Sequence, residues 1–228
     1  MLVERFSHTM VVIEPDREAL LQGVKSETVE AARQRISVSP FAIDATVLQP
    51  IQRQPDSRNI MTLGSLHYPP NADGIRWFLN DVFPLIQEQV PDVTLTIIGK
   101  NPPADFVQAA ETAPETITVT GYVPDLTPYM EAAVLMVVPV RAGGGMRVRL
   151  LEAFARAMPA VTTTVGLEGI MAEHGREVLV ADDPVSFAVE TVRLLQNESL
   201  QQQLAENGPG GFEPDGCGLR SGRGLKSA

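Results

Sequence analysis

Between residues 59 and 207, short apolar runs alternate regularly with amphipathic stretches. The runs Ile60–Leu63, Val93–Ile98, Ile117–Thr120, Val134–Val138, Ala160–Thr164 and Val178–Ala181 are near-continuously apolar. Strands buried on both faces have that character. Between them, Ala72–Gln89, Ala104–Glu111, Leu126–Ala133, Arg147–Ala157 and Pro184–Leu195 carry helical patterning. In the first of these, Ile75, Phe78, Leu79, Val82, Phe83 and Ile86 recur at spacings of three and four, which makes one buried helical face. Six such strands separated by helices predict an α/β fold with a parallel sheet covered on both sides. Right-handed crossovers make it a doubly wound, Rossmann-like domain, whose ligands bind beyond the strand C-termini.

The flanks read differently. Residues 1–47 hold an apolar run, Thr9–Ile13, then a helix start in which Pro15, Asp16 and Glu18 suit the first turn. A helical stretch at Glu27–Arg35 and the short apolar segment Ile36–Val38 follow, and then the turn-rich span 39–44. This part has too few apolar segments to enclose a core of its own and is expected to be the end of a larger partial α/β unit. Residues 48–58 are polar with two prolines and read as a linker. Residues 208–228 contain seven of the eighteen glycines and no apolar periodicity, and are expected to form a disordered tail. Helical signals stop abruptly at Asn207-Gly208, and the chain uses arginine far more than lysine; together these suggest a shifted reading frame or truncation near residue 207.

Charge and composition narrow the function. A net charge of −10 argues against a nucleic-acid or anionic-membrane binder. Cys217 is the only cysteine, so disulfide frameworks and cysteine-based metal sites are excluded. The longest apolar run, Ala132–Val140, has nine residues, whereas a membrane-spanning helix needs about 20. The opening MLVERFSH lacks the pattern of a secretory signal. The expected location is the cytoplasm, or peripheral at the inner face of a membrane.

Against that acidic background, Arg141, Arg147 and Arg149 fall within nine residues, with no acid until Glu152. They flank Gly143, Gly144 and Gly145, between an expected strand and an expected helix starting near Met146 or Arg147. Glycines at such a turn let backbone N–H groups approach an anion, and the helix N-terminus adds about half a positive charge. Cations there oppose the helix dipole at a cost of a few tenths of a kcal/mol or more, which a bound diphosphate would reverse. The alternative is a mobile glycine turn with solvated arginines. Neither GxGxxG nor GxxxxGK[ST] occurs, so the fingerprints for nicotinamide cofactors and NTP hydrolysis are missing.

The runs GGGMRVRLLEAFARAMPAVTTTVGLEGI and HGREVLVADDPVSFA resemble the donor-binding domain of group 1 glycosyltransferases, family 4 of the GT-B class. IMTLGSLHYPPNADGIRWFLNDVFPLI, VTLTIIGKNPP and ITVTGYVPDLTPYMEAAVLMVVPV fit the same family in order, particularly the branch with a Pro-Asn pair in the first loop. The likeness covers residues 59–207, and VVIEPDREAL looks like the last strand and helix of the family's N-terminal domain.

The resemblance implies site residues one by one. Glu152 matches the second Glu of a Glu-x7-Glu motif that holds the ribose; the first would stand at Gly144, so sugar contacts fall to the backbone of Gly143–Gly145. The family's diphosphate-binding Arg and Lys correspond to Ser65, beside Gly64, and to Pro70. Arg147 and Arg149 are expected to substitute for them and, with Glu152, to carry the catalysis, while Arg141 is expected among the donor-binding residues. Gly121, Tyr122 and Val123 match the nucleobase loop, and Gly99 and Lys100 end the second strand along the same crevice.

The function so implied is transfer of a sugar, with retention, from a nucleotide-diphosphate sugar such as a UDP- or GDP-sugar to a glycan or lipid-linked acceptor hydroxyl. It needs neither metal nor another cofactor. Acceptor binding and any peripheral membrane contact belong to the N-terminal domain. This chain is thus expected to be a fragment with the donor-binding half intact and little turnover of its own. A non-catalytic nucleotide-binding module that pairs with a separate domain is the alternative, and a sugar-nucleotide epimerase ranks third. Asp125 and the pair Asp182-Asp183 read as helix caps, Glu168-Gly169 as a turn or a phosphate contact, His67 in the first ligand-facing loop as a solvated histidine or a donor contact, and His8 and His174 as surface residues.

Overall fold

The computed structural model describes residues 6–39, 48–54 and 56–210. The first unit is β1 (Thr9–Val11), α1 (Glu14–Gln22), α2 (Val29–Arg33) and β2 (Ile36–Val38), the two strands pairing in parallel. Pro15 with Glu14 and Asp16 opens α1, as expected of that run. Leu21, Ala32 and Ile36 form the small apolar core of this unit.

The second unit runs β3 (Asn59–Leu63), α3 (Pro69–Trp77), α4 (Phe83–Gln89), β4 (Thr94–Ile98), α5 (Ala104–Thr112), β5 (Ile117–Gly121) and α6 (Thr127–Ala132). It continues with β6 (Ala133–Val138), α7 (Val148–Ala155), β7 (Ala160–Thr162), β8 (Leu179–Val180), α8 (Pro184–Leu195) and α9 (Glu198–Gly210). All six strands of its sheet are parallel, in the order β5-β4-β3-β6-β7-β8.

Both sheet faces are covered, and successive strand residues alternate between them. Ile60, Leu95, Leu135 and Val161 pack with α3, α4 and α8, where Phe187 meets Trp77 and Phe78 edge-on at 5.4 and 5.8 Å. Met61, Met136, Val138 and Ala160 pack on the opposite side against Met130 of α6 and Leu150, Leu151 and Phe154 of α7. The doubly wound α/β architecture is therefore as the apolar pattern predicts.

Three local differences have physical causes. The helix expected over Ala72–Gln89 is interrupted by a π-helical turn, Phe78–Val82, just ahead of Pro84. Proline has no N–H for the ladder and its ring clashes with the preceding turn, so the helix widens before restarting. At the other end, α9 continues past residue 207 to Gly210, and Gly208 packs so closely on α7 that a Cβ there would stand 3.2 Å from Phe154 Cα. The polar 48–58 span is strapped down: Ile51 N–H donates to the Arg156 carbonyl at 3.1 Å, Gln54 N–H to that of Glu131 at 2.7 Å, and Arg53 to that of Val134 at 2.9 Å. The tail expectation for 211–228 and most of the turn-rich 39–44 span lie outside the described residues. No helix among the described residues is long and apolar enough to cross a membrane.

Candidate functional site

The sheet order reverses between β3 and β6: the chain moves outward through β4 and β5, then returns to β6 and proceeds the other way. Loops that follow neighbouring strands diverge at such a point, which is where open α/β sheets bind ligands. Here they leave a cleft of about 280 Å³. One wall is Gly64, Ser65, Tyr68, Pro70 and Asn71. The other is Val140, Ala142, Gly143, Gly144 and the residues Met146–Arg149 at the start of α7.

The glycine loop is shaped by the arginine after it. Gly143 and Gly145 have φ of +97° and +95°, conformations that side chains rarely tolerate. Arg147 donates to the carbonyls of Gly143 at 2.8 Å and Gly144 at 3.0 Å, and to that of Gly145. In a trans peptide N–H and C=O point opposite ways, so these carbonyls, turned onto the guanidinium, aim the following N–H groups away from it. Among the described residues, no acceptor is present for the backbone N–H groups from Gly143 to Arg149. Arg147 itself is non-helical (φ −92°, ψ 88°), so α7 starts at Val148, slightly later than the spacing predicts.

Arg149 occupies the cleft. Its Nη2 donates to the Asn71 side-chain oxygen at 3.0 Å, while its Nε is shielded from solvent with no acceptor among the described residues. Gly64 makes room for it, since a Cβ there would stand 2.6 Å from Nη1. Burial first, and the neighbouring Arg147 second, bring its pKa down to about 10, so it remains charged at neutral pH. No carboxylate among the described residues forms an ion pair with it. A shielded cation without a counter-charge is costly unless an anion arrives, and the open N–H groups beside it add to the same preference.

The remaining expected residues divide. Arg141 departs from the cluster: it pairs with both Asp73 oxygens at 2.9–3.1 Å and lies over the Trp77 ring, so its charge is already matched. Glu152, further along α7, is half-buried with no side-chain hydrogen bond, and it does not line the cleft. Gly64 N–H donates to the Ile98 carbonyl at 3.0 Å and Gly99 N–H to that of Gly121 at 2.8 Å, lacing three strand ends together. A side chain on Gly99 would strike the Gly64 carbonyl at 1.9 Å, so that position requires glycine, whereas Gly121, at φ +71° with open space around it, is favoured as glycine by its backbone alone. Lys100 and Tyr122, both exposed, meet with Nζ 4.7 Å from the ring centre. Val123 is half-buried against the α6–α7 core.

The weaker candidates fall mostly into structural roles. Asp125 accepts from Thr127 N–H at 2.9 Å, which holds its carboxyl below the usual range. Asp183 caps α8 through Ser186 N–H, but Asp182 instead binds Thr164 through its N–H and hydroxyl, each at 2.7 Å. His67 is exposed, His8 meets Ser37 Oγ at 2.9 Å, and His174 Nδ1 accepts from Val180 N–H. Glu168 lies closer to the glycine loop than its sequence position implies, with Oε2 3.9 Å from where a Cβ on Gly144 would be. The residue that sequence reasoning missed is Asn71. Its only advance signal is the Pro70-Asn71 pair at a helix start.

A doubly wound parallel sheet with a cleft at its reversal point is the architecture of a Rossmann-like unit. The family model for glycosyl transferases group 1 matches residues 57–197, more than half of the chain. The chain belongs to that family. It is 28% identical over 155 residues to an uncharacterized 44.6 kDa protein in the cps region of Klebsiella pneumoniae, covering 65% of this chain and 40% of that protein. The structure of a mutant of S. aureus TarM in complex with Fondaparinux, alpha-GlcNAc-glycerol and UDP shares the fold with a TM-score of 0.74 at 15% identity, over 91% of this chain and 41% of that one. Anabaena HepE in complex with UDP and glucose shares it with a TM-score of 0.69 at 16% identity, over 92% of this chain and 59% of that one. The chain thus spans about two-fifths of the length of the curated relative.

Proposed function

We propose that residues 59–207 are the donor half of a glycosyltransferase that moves a sugar from a nucleoside-diphosphate sugar to an acceptor hydroxyl with retention. The observation that carries this reading is Arg149, an unneutralised guanidinium shielded at the strand-order reversal beside a glycine loop with open N–H groups. As the glycosidic bond breaks, negative charge grows on the leaving diphosphate, and fixed donors placed there lower the barrier more than a strong base would. Arg149 supplies the charge; Arg147 supplies the loop that presents the backbone donors.

The cleft, about 280 Å³, suits a diphosphate better than a whole sugar nucleotide. The nucleoside is assigned to the rim formed by Gly99, Lys100 and Tyr122, with Glu152 as the ribose acceptor, and the sugar to the side of Gly144 and Glu168. No group of three or more His, Cys, Asp or Glu residues fit to hold a metal is present among the described residues, and the reading invokes none. Acceptor recognition is assigned to the part of the longer relatives that this chain does not match.

Calorimetric titration with UDP and GDP tests the site. Arg149→Ala should weaken the better ligand by at least tenfold, about 1.4 kcal/mol. An unchanged affinity would sink the diphosphate reading.

A further inference from the structure

Asn71 stands in the first turn of α3, where the loop after β3 becomes helix. Its side-chain oxygen accepts from Arg149 Nη2 at 3.0 Å, and its side-chain nitrogen donates to the Ser65 carbonyl at 3.2 Å. Arginine can only donate and a carbonyl can only accept, so one orientation of the amide satisfies both partners. Asn71 therefore ties the loop after β3 to the start of α7 across the mouth of the crevice, and Gly64 leaves space for both groups, since a Cβ there would stand 2.6 Å from Arg149 Nη1 and 3.2 Å from the Asn71 amide nitrogen.

The chemical type of this tie matters. Two other arginines near this part of α3 are held by carboxylates: Arg141 by Asp73, and Arg76 by Asp105 at 2.6 Å. A carboxylate fixes a guanidinium and cancels its charge; an amide fixes it and leaves the charge in place. We propose that Asn71 is a positioning residue that orients Arg149 while keeping its charge uncancelled for a diphosphate. The assignment rests on the diphosphate reading of the cleft. It states why position 71 is an amide and not the acid that would hold Arg149 more firmly.

The test compares thermal melting and UDP or GDP affinity in wild type, Arg149→Ala, Asn71→Ala and Asn71→Asp. In Asn71→Asp one carboxylate oxygen pairs with Arg149, while the other meets the Ser65 carbonyl where an N–H was donated, so melting temperature does not isolate the charge and serves to show that each variant folds. Affinity does isolate it: Asn71→Asp should bind the diphosphate at least tenfold more weakly than wild type. Asn71→Ala, which loses orientation and the Ser65 bond but not the charge, should weaken binding by less than Asn71→Asp does. A residue that merely tied the two loops together would be hurt at least as much by alanine as by aspartate. Unchanged affinity in Asn71→Asp, or a loss in Asn71→Ala as large or larger, would each overturn the inference. Unchanged affinity in Arg149→Ala would overturn the cleft reading instead, which separates the two failures.

Discussion

Arg149 is kept charged in surroundings that disfavour charge, and this sets the stability of the site against its binding. The fall from the ordinary arginine range to about 10 corresponds to roughly 3 kcal/mol, as an upper bound, against the charged folded form. Its folded pKa lies below its unfolded one, so the cost is present in full below about pH 10 and is relieved as pH rises from there toward the unfolded value. Arg149→Met keeps the length without the charge. It should raise folding stability at pH 8 by about 1–3 kcal/mol in urea denaturation, and that advantage should narrow as pH passes 10. Pyrophosphate should stabilise wild type but not this variant. A variant less stable than wild type at pH 8 would contradict the picture of a cation awaiting its anion. That Arg149 is a cation at a helix start was legible in the sequence. Its holder was not, because Asn71 lies 78 residues away along the chain and only the sheet order brings the two together.

Helix and strand placement followed from apolar spacing, since a doubly covered sheet and one-sided helices leave strong periodic signals. What that spacing could not reveal is where elements press together without side chains. Gly74, buried in α3, is such a point: a Cβ there would lie 2.0 Å from the Pro139 carbonyl oxygen, at the root of the glycine loop. Alanine in a helix is worth up to about 1 kcal/mol over glycine. Driving backbone apart in a packed core typically costs about 1–3 kcal/mol, so the clash prevails. Gly74→Ala should thus lower the urea midpoint, and because α3 and the glycine loop form opposite walls of the cleft, it should also weaken UDP binding. Equal or greater stability would show that the helix shifts freely on β6. The π turn ahead of Pro84 had a sequence signal, the proline itself, but its outcome could have been a kink or a helix end. Phe78 at the start of that turn and Phe83 just after it are both buried, so both helical pieces pack on the same core.

At the scale of the whole molecule, strand order was the main thing hidden from the sequence, because alternation of strands and helices fits several orders equally well. The observed order puts the β3 and β6 loops side by side and so creates the cleft from segments about 70 residues apart. The same view shows how unevenly the two units are held. The first is a two-stranded sheet around Leu21, Ala32 and Ile36, an arrangement that is marginal alone. It leans on the second unit through Ile13, which is 3% exposed and so close to Gly169 that a Cβ on that glycine would stand 2.4 Å from Ile13 Cγ2. Gly169 has φ +76°, so the chain turns there to admit the contact. Removing the wedge should therefore loosen one unit and leave the other intact. Truncating a buried isoleucine costs about 2–5 kcal/mol in a core, and a boundary site belongs at the lower end. Ile13→Ala should speed hydrogen exchange of the β1 and β2 amides by roughly 30-fold, the equivalent of about 2 kcal/mol, while the β3, β4 and β6 amides keep wild-type protection. Equal acceleration throughout would mean that the two units unfold as one, and that Ile13 supports the sheet carrying the cleft as directly as it supports its own strands.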